Sequence, residues 1–448
     1  MERQASRFDV CSDEVVLRVL SFLCSADILR SKALSTRFRT LIQSVPALLE
    51  HIDLASFPAS LSSFFIVKML SQHRVYSLKF AAITTVTLAR YLSIVTKSLV
   101  RLEVPNSSIE LTKALYRLTL PTLRSLNIRG YSRPITDKDI ETIATALPGL
   151  EELDFTAIPH LSNEVVSMAI GFWPNLKVLK VRGCLDLDNS LFAAMERHTR
   201  HLEVLEVGGT PACFNMKISL NGIQSLCATR SPLKAITFDY CTKAGNKVIE
   251  AVCRTFGETL EELHILRDYT EKTALISEEG TEAFHYSPHI RRLTIEHTGS
   301  FADGLATQLA TCLPELRELS LAECLVRCSL EPLATGCPRL LTVDLSGDSW
   351  VTEIALRGLA CHPGLQILYL GHFEHSGAEC DKVVRNEYPS KGLFIENLFK
   401  RENGFPALKL LYLEESCTLS GWLRTRLKFC RRALRIEFRP ESQVKVPS

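Results

Sequence analysis

A nine-residue pattern recurs along almost the whole chain and constrains its fold more than any other feature. Its clearest copy runs from Leu316 to Cys324, with leucine at the first, fourth and sixth positions and cysteine at the ninth. Near-matches follow at steps of 24 to 31 residues, apart from one step of 43, and begin at Val75, Leu99, Leu123, Leu150, Leu176, Leu202, Leu233, Leu260, Ile290, Leu316, Leu340, Leu365, Leu408 and, more weakly, Ala433. A chain with this periodicity is expected to fold as a stack of similar units.

Each unit reads as a short strand followed by a helix. The apolar fourth and sixth positions share one face of a strand because side chains alternate along it. The following stretch has helical spacing, as in Ile140, Ile143 and Leu147, and Thr136 with Asp139 predicts a helix start. Period and consensus are those of leucine-rich repeats. The sequence therefore predicts an α/β leucine-rich-repeat solenoid, with a parallel inner sheet and helices outside.

The inner face of such a sheet can be read column by column, because neighbouring strands lie about 4.7–4.9 Å apart. In the third-position column Arg292 falls between Glu262 and Glu318, which predicts a charge-compensated ladder of solvated side chains. The fifth-position column contains Lys79, Glu103, Asn127, Asp154, Lys180, Glu206, Thr237, His264, Thr294, Ser320, Asp344, Tyr369 and Tyr412.

The C-terminal end of this face differs from the rest. Tyr369 and Tyr412 are column neighbours, and Ile367 and Leu410 occupy the third positions of the same strands. Exposed apolar side chains of this kind, tyrosine above all, are typical of binding surfaces. We therefore predict that these four residues form a binding site for a partner protein. The longest step predicts a loop insertion at 372–405, which either forms the rim of the site or covers it as a lid.

Two arginines of the seventh-position column, Arg129 and Arg182, have only Thr156 between them. They are candidates for binding an acidic or phosphorylated partner, although a solvated face is the alternative. Catalytic residues and cofactors are not expected, because no spacing brings a nucleophile to a base. Cys361, His362, His372, His375 and Cys380 match no familiar zinc spacing, so no metal site is predicted.

Composition narrows the functional class. The net charge of +2 removes the electrostatic argument for a nucleic-acid-binding protein. No apolar run approaches the roughly 18 residues of a membrane span, and the first nine residues lack the apolar core of a signal peptide. The fifteen cysteines, an odd number spread through the repeats, are interpreted as reduced thiols. We therefore expect a cytoplasmic or nuclear protein.

Residues 8–54 have a different pattern from the repeats. Ser12 is suited to cap a helix whose first turn carries Asp13 and Glu14, Ser25 to cap a second, and a third follows with Arg37. Three short helices form a small core, which serves either as a cap for the solenoid or as a partner-binding surface. The predicted organisation is this module at 8–54, a connector and capping segment at 55–74, about 14 repeats at 75–438 and a tail at 439–448.

The module resembles an F-box over its whole length. The resemblance runs through the segments 8–23, 25–29, 35–39 and 47–54, with Cys11-Ser12 where Leu-Pro is usual and Phe38 and Leu49 at positions usually held by tryptophan. It implies contacts with a Skp-type adaptor at Phe8, Asp13, Glu14, Leu17, Leu20, Phe22, Leu23, Ile28, Phe38 and Leu48.

An F-box followed by leucine-rich repeats resembles the substrate receptors of SCF-type cullin–RING ubiquitin ligases. The resemblance implies a non-catalytic subunit that joins the adaptor and cullin at one end and holds a protein substrate on its repeats, with no nucleic-acid or membrane partner. Two other classes remain open from the residues alone. One is a protein-binding scaffold or inhibitor without a ligase, and the other is a repeat protein that regulates a GTPase.

Overall fold

The structure, a computed structural model, describes residues 11–32, 34–57, 62–158, 160–184, 186–209, 217–241, 245–266, 278–296, 300–301, 303–326, 328–347, 351, 353–371, 404–414 and 435–439. The chain forms two compact units, residues 1–186 and 187–448. Within the described residues, none of the helices has the length and apolar character needed to span a membrane.

The first unit begins with three short helices, α1 (Asp13–Leu20), α2 (Ser25–Ser31) and α3 (Thr36–Ser44). The Ser12 hydroxyl accepts a hydrogen bond from the Val15 amide, so the predicted cap of α1 is confirmed. The expected cap of α2 is wrong, because Ser25 is already the first helical residue. Its hydroxyl accepts instead from the backbone N–H of Asp53, at 3.1 Å, and thereby ties α2 to the chain that enters the sheet.

A parallel sheet of short strands follows in the first unit. Its described strands lie in chain order and are β1 (His51–Asp53), β2 (Ser77–Lys79), β3 (Arg101–Glu103), β4 (Ser125–Asn127), β5 (Glu152–Asp154) and β6 (Val178–Val181). Helices connect successive strands, namely α4 (Ser63–Gln72), α5 (Thr85–Val95), α6 (Leu111–Ala114), α7 (Asp137–Ala146) and α8 (Asn163–Phe172). Thr136 and Asp139 form the predicted start of α7 as a complete capping box.

The second unit repeats this architecture. Its described parallel sheet has the order β7 (Val204–Gly208), β8 (Ala235–Asp239), β9 (Glu262–Leu266), β10 (Arg292–Ile295), β12 (Glu318–Ser320), β14 (Thr342–Leu345), β15 (Ile367–Leu370), β16 (Leu410–Glu414) and β17 (Arg435–Arg439). A separate parallel pair consists of β11 (Ser300–Phe301) and β13 (Leu325–Val326). The helices are α9 (Asn189–His198), α10 (Leu220–Ala228), α11 (Asn246–Phe256), α12 (Glu278–Thr281), α13 (Asp303–Cys312), α14 (Glu331–Gly336) and α15 (Glu353–Ala360).

The strands confirm the predicted leucine-rich-repeat fold. A strand begins two residues after every predicted repeat start, although Ala433 itself lies outside the described residues. Fourth-position side chains stand opposite one another, as Leu126 does to Leu153 and Leu293 to Leu319. In the repeats that begin at Val75 to Leu408, the first, fourth and sixth positions are all buried. Each repeat therefore buries its apolar positions against the next one, as expected for a stack.

The first sheet starts one strand earlier than the repeat pattern predicted. β1 pairs with β2 in parallel, and Ile52 lies opposite Leu78. Leu49, Ile52 and Leu54 reproduce the apolar positions of the consensus, but this copy overlaps the end of the helical module. Removing residues 1–54 would therefore also remove β1 and leave β2 paired only with β3, with its other edge open. Point substitutions test the module more cleanly than truncation does.

The ninth repeat position is occupied by buried thiols in Cys184, Cys241 and Cys324. Cys324 Sγ donates to the carbonyl oxygen of Ile295 at 3.1 Å, and Cys184 Sγ donates to that of Phe155 at 3.4 Å, each in the preceding repeat. All eleven cysteines in the described part of the chain carry free thiols. Burial raises the pKa of Cys184 to about 12, so this thiol stays protonated at neutral pH.

Candidate functional site

The inner face of α1 forms the core of the N-terminal module. Val16 and Leu20, one helical turn apart, are buried there. They pack in one cluster with residues of α2, α3 and the turn before β1, which are Ile28, Leu41, Ile42 and Leu49. This small core buries only some of the apolar side chains in the stripe along α1.

The rest of that stripe lies on the outer face of α1 and in the turn that follows this helix. Val15 is 49% exposed, Val19 40%, Phe22 79% and Leu23 37%. We call these four residues the α1 outer surface. A helix that only caps a solenoid is expected to turn its apolar side chains inward, because each exposed one forgoes the free energy of burial. Apolar side chains gathered at one place on a surface are typical of a protein–protein contact.

Polar contacts hold α1 in place beside this surface. Arg37 of α3 donates from Nε, at 2.9 Å, and from Nη2, at 2.5 Å, to the Asp13 carboxylate, and its Nη2 also donates to the carbonyl oxygen of Cys11 at 2.6 Å. Asp27 accepts from Cys24 Sγ and from Arg30, and these hydrogen bonds lower the pKa of its carboxyl group. The start of α1 and the first turn of α2 are therefore fixed by neighbouring side chains.

The predicted adaptor contacts divide into three groups in the structure. Phe22, Leu23, Asp13 and Glu14 lie on the surface, and Leu17, Phe38 and Leu48 are partly buried. Leu20 and Ile28 do not face outward, which corrects the sequence-based expectation, because both side chains belong to the module core. Phe8 lies outside the described residues. The predicted set does not include Val15 and Val19, which are exposed because they lie about 100° around the helix from the buried Val16 and Leu20.

The second candidate site lies on β15 and β16, where the predicted register is confirmed. Tyr369 stands opposite Tyr412, and Ile367 opposite Leu410. The two tyrosine rings stack with centroids 4.4 Å apart and planes within 1° of parallel. Tyr369 is only 8% exposed, so the expectation that all four side chains lie open is wrong for this residue. Tyr412, Ile367 and Leu410 are half-buried, and residues 372–403 of the predicted loop lie outside the described residues.

The charged third-position column is self-compensated, as predicted. Arg292 Nη1 lies 2.8 Å from a Glu262 carboxylate oxygen, and Arg292 Nε lies 3.4 Å from a carboxylate oxygen of Glu318. A hydrogen bond with His264 and the charge of Arg292 lower the pKa of Glu262. The two arginines of the seventh-position column differ from each other. Arg129 is exposed, whereas Arg182 is only 7% exposed, which corrects its expected role as an open anion contact.

One histidine of the rejected zinc cluster, His362, has a structural role. His362 is fully buried, and its Nε2 lies 2.9 Å from the carbonyl oxygen of Cys337. Its Nδ1 accepts from the Gly364 N–H at 3.0 Å, which assigns the Nε2–H tautomer to the neutral ring. The described residues contain no group of potential metal ligands, and His372, His375 and Cys380 lie outside them.

We expect His362 to make stability depend on pH. Burial lowers the pKa of His362 below its ordinary 6.5, so the unfolded chain takes up a proton at higher pH than the folded chain. The contribution of His362 to the free energy of unfolding is therefore fully present above about pH 6.5 and is lost as the pH falls. Its size is about 1.4 kcal/mol for each unit by which folding lowers the pKa. Urea unfolding at pH 7.5 and 5.5 should show a smaller pH dependence for His362→Gln than for the wild type. An equal dependence in both proteins would contradict this assignment.

Comparison with known proteins gives structural likeness only. No protein-family model matches the sequence, and a sequence comparison with curated proteins finds no match. The crystal structure of a TLR13–ssRNA13 complex is similar with a TM-score of 0.46 and 18% identity over 76% of this chain, which spans 45% of the TLR13 chain. The crystal structure of a yeast Rad7 and Elc1 complex is similar with a TM-score of 0.45 and 15% identity, over 97% of this chain and 98% of that one. At these scores neither likeness supports an argument about function, and the fold assignment rests on the strands and helices themselves.

Proposed function

We propose that this chain is the substrate-binding subunit of an SCF-type ubiquitin ligase. The α1 outer surface docks on a Skp-type adaptor, and the inner face of the repeats holds a protein substrate. The proposal rests on the F-box resemblance of residues 8–54 and on one structural observation above all. Val15 and Val19 on the first helix of the module, and Phe22 and Leu23 in the turn that follows it, remain exposed although all four are apolar.

The mechanism in this proposal is proximity, and the chain carries out no chemistry itself. One end of the protein is tied to the adaptor and cullin, and the repeats hold the substrate within reach of the ubiquitin-charged enzyme. Tethering of this kind raises the effective concentration of the reacting groups without any catalytic side chain in the tether. The substrate site includes Tyr412, Ile367 and Leu410, which are half-buried next to one another on β15 and β16.

The test replaces exposed residues of the module without touching its core. Val15→Glu combined with Phe22→Glu should lower the affinity for a Skp-type adaptor about 100-fold or more, because each hot-spot residue contributes about 2 kcal/mol. The matched control is Val86→Glu combined with Ile354→Glu, two positions that are 79% and 62% exposed on α5 and α15. Binding is measured by calorimetry with the purified full chain, and folding by circular dichroism.

The outcomes separate the ligase subunit from the alternatives. Loss of adaptor binding in the α1 variant alone, with unchanged circular dichroism, supports the proposal. If the wild-type chain binds no adaptor, or if the folded α1 variant binds as tightly as the wild type, the module is a solenoid cap and the protein is a repeat scaffold. Copurification of a cullin with the wild-type chain gives an independent check of the same conclusion.

A further inference from the structure

The second position of each repeat forms a charged column in the second unit. These residues lie one position before each strand, and backbone hydrogen bonds connect them in order. They are Glu203, Lys234, Glu261, Arg291, Arg317, Leu341, Gln366 and Lys409. We call this series the strand-start column. Because the hydrogen bonds fix which residues are neighbours, the charges along the column can be compared strand by strand.

The first half of the column is compensated within the chain. Lys234 Nζ lies 2.7 Å from a carboxylate oxygen of Glu203. Arg291 Nη1 lies 2.7 Å from Glu261, and Arg291 Nε lies 3.6 Å from Glu315. Acidic and basic residues alternate here, so each cation has an anion on a neighbouring strand.

The second half breaks this alternation. Arg317, Leu341, Gln366 and Lys409 place two cations and no carboxylate on four successive strands. Arg317 is exposed and forms no ion pair with any described residue, while Lys409 Nζ meets only the uncharged Gln366 Oε1, at 3.0 Å.

Apolar side chains lie between and beside these two cations. Leu341 is exposed at the strand-start column itself. Ile367 and Leu410, the residues that follow Gln366 and Lys409 in the chain, are half-buried on the adjoining inner face. Within the part of the chain that the structure describes, this surface therefore combines two cations that form no ion pair with apolar area, in contrast to the charge-balanced ladder formed by Glu262, Arg292 and Glu318. A partner that complements it must supply negative charge and an apolar side chain together.

We propose that the bound segment of the substrate is acidic, with two carboxylate side chains that meet Arg317 and Lys409 on either side of an apolar residue. The role of this segment as a ligase substrate rests on the proposed function, whereas its chemistry rests on the strand-start column. Arg317 and Lys409 are three strand spacings apart, about 14 Å at the usual 4.7–4.9 Å per strand. An extended peptide covers that distance in about four residues, so the carboxylates belong at positions i and i+4 with the apolar residue at i+2.

The probe follows from this spacing. A fluorescein-labelled peptide amide with the sequence Glu-Ser-Leu-Ser-Glu is titrated with the purified full chain, and its anisotropy is compared with that of Lys-Ser-Leu-Ser-Lys. The acidic peptide should bind about tenfold or more tightly, and raising KCl from about 50 to 500 mM should weaken its binding, because exposed charges are screened. Equal affinity for the two peptides would overturn the proposal.

Charge reversal locates the site. Arg317→Glu combined with Lys409→Glu should lower affinity for the acidic peptide about tenfold. The matched control is Arg90→Glu combined with Lys97→Glu, exposed cations of the first unit with the same change in net charge. Equal losses in both variants would show a general charge effect and reject the site.

A phosphoserine peptide completes the test. Binding by a phosphoserine version of the peptide, with none by the glutamate peptide, would overturn the assignment to carboxylates. All of these titrations are made without adaptor. Failure of adaptor docking therefore leaves the peptide result intact, and failure of peptide binding leaves the adaptor result intact.

Discussion

Replacement of Leu20 by aspartate should unfold the N-terminal module, whereas the same replacement at the neighbouring Val19 should leave it folded. Leu20 is fully buried and Val19 is 40% exposed. A carboxylate at position 20 would lie in a core of about six apolar side chains, and burial of an unpaired charge costs several kcal/mol. A core this small has little stability to lose.

Hydrogen exchange of α1–α3 and adaptor affinity together check this prediction. The Leu20→Asp variant should lose amide protection in all three helices and with it adaptor binding. The Val19→Asp variant should keep native protection and still bind adaptor at least tenfold more weakly, because a charge then enters the docking surface. Protected helices in Leu20→Asp would show that the described core is wrong. Native affinity in Val19→Asp would show that adaptor docking does not use the α1 outer surface.

The second large effect is expected at Trp173, which connects two repeats of the first unit. Its ring is buried after α8, and Nε1 donates to the carbonyl oxygen of Leu147, after α7, at 2.8 Å. Trp173→Ala removes this hydrogen bond and leaves a cavity, so we expect a loss of about 3–5 kcal/mol in the free energy of unfolding.

Trp173→Phe is the matched control, because it keeps an aromatic ring and most of the apolar volume but removes the Nε1–H donor. Because the Leu147 carbonyl then lacks a donor, we expect the free energy of unfolding to fall by about 1–3 kcal/mol. The stability of both variants is measured by urea unfolding, with hydrogen exchange of α7 and α8 as the local readout. A local readout is needed because stacked repeats need not unfold in one step. Losses below about 1 kcal/mol in Trp173→Ala would contradict the described packing between these repeats.

The sequence by itself determined the repeat architecture of this protein. The strand starts, the capping box of Thr136 and Asp139 and the ladder around Arg292 all follow from local spacing. Local spacing is sufficient to predict these features because the periodicity of each strand and helix can be read within one repeat. Neighbouring repeats then stack in the same register. A pattern repeated fourteen times therefore fixes which residues become column neighbours.

Only the tertiary structure decided which members of each pattern face inward. The apolar stripe of α1 is continuous in sequence, yet the packing of α2 and α3 buries Leu20 and leaves Val19 exposed. Likewise, Tyr369 and Arg182 occupy columns predicted to be open, but both are buried. β1 was missed because its apolar positions overlap those of the helical module. In each case burial depends on neighbours distant in sequence, and periodicity carries no information about how closely those neighbours approach.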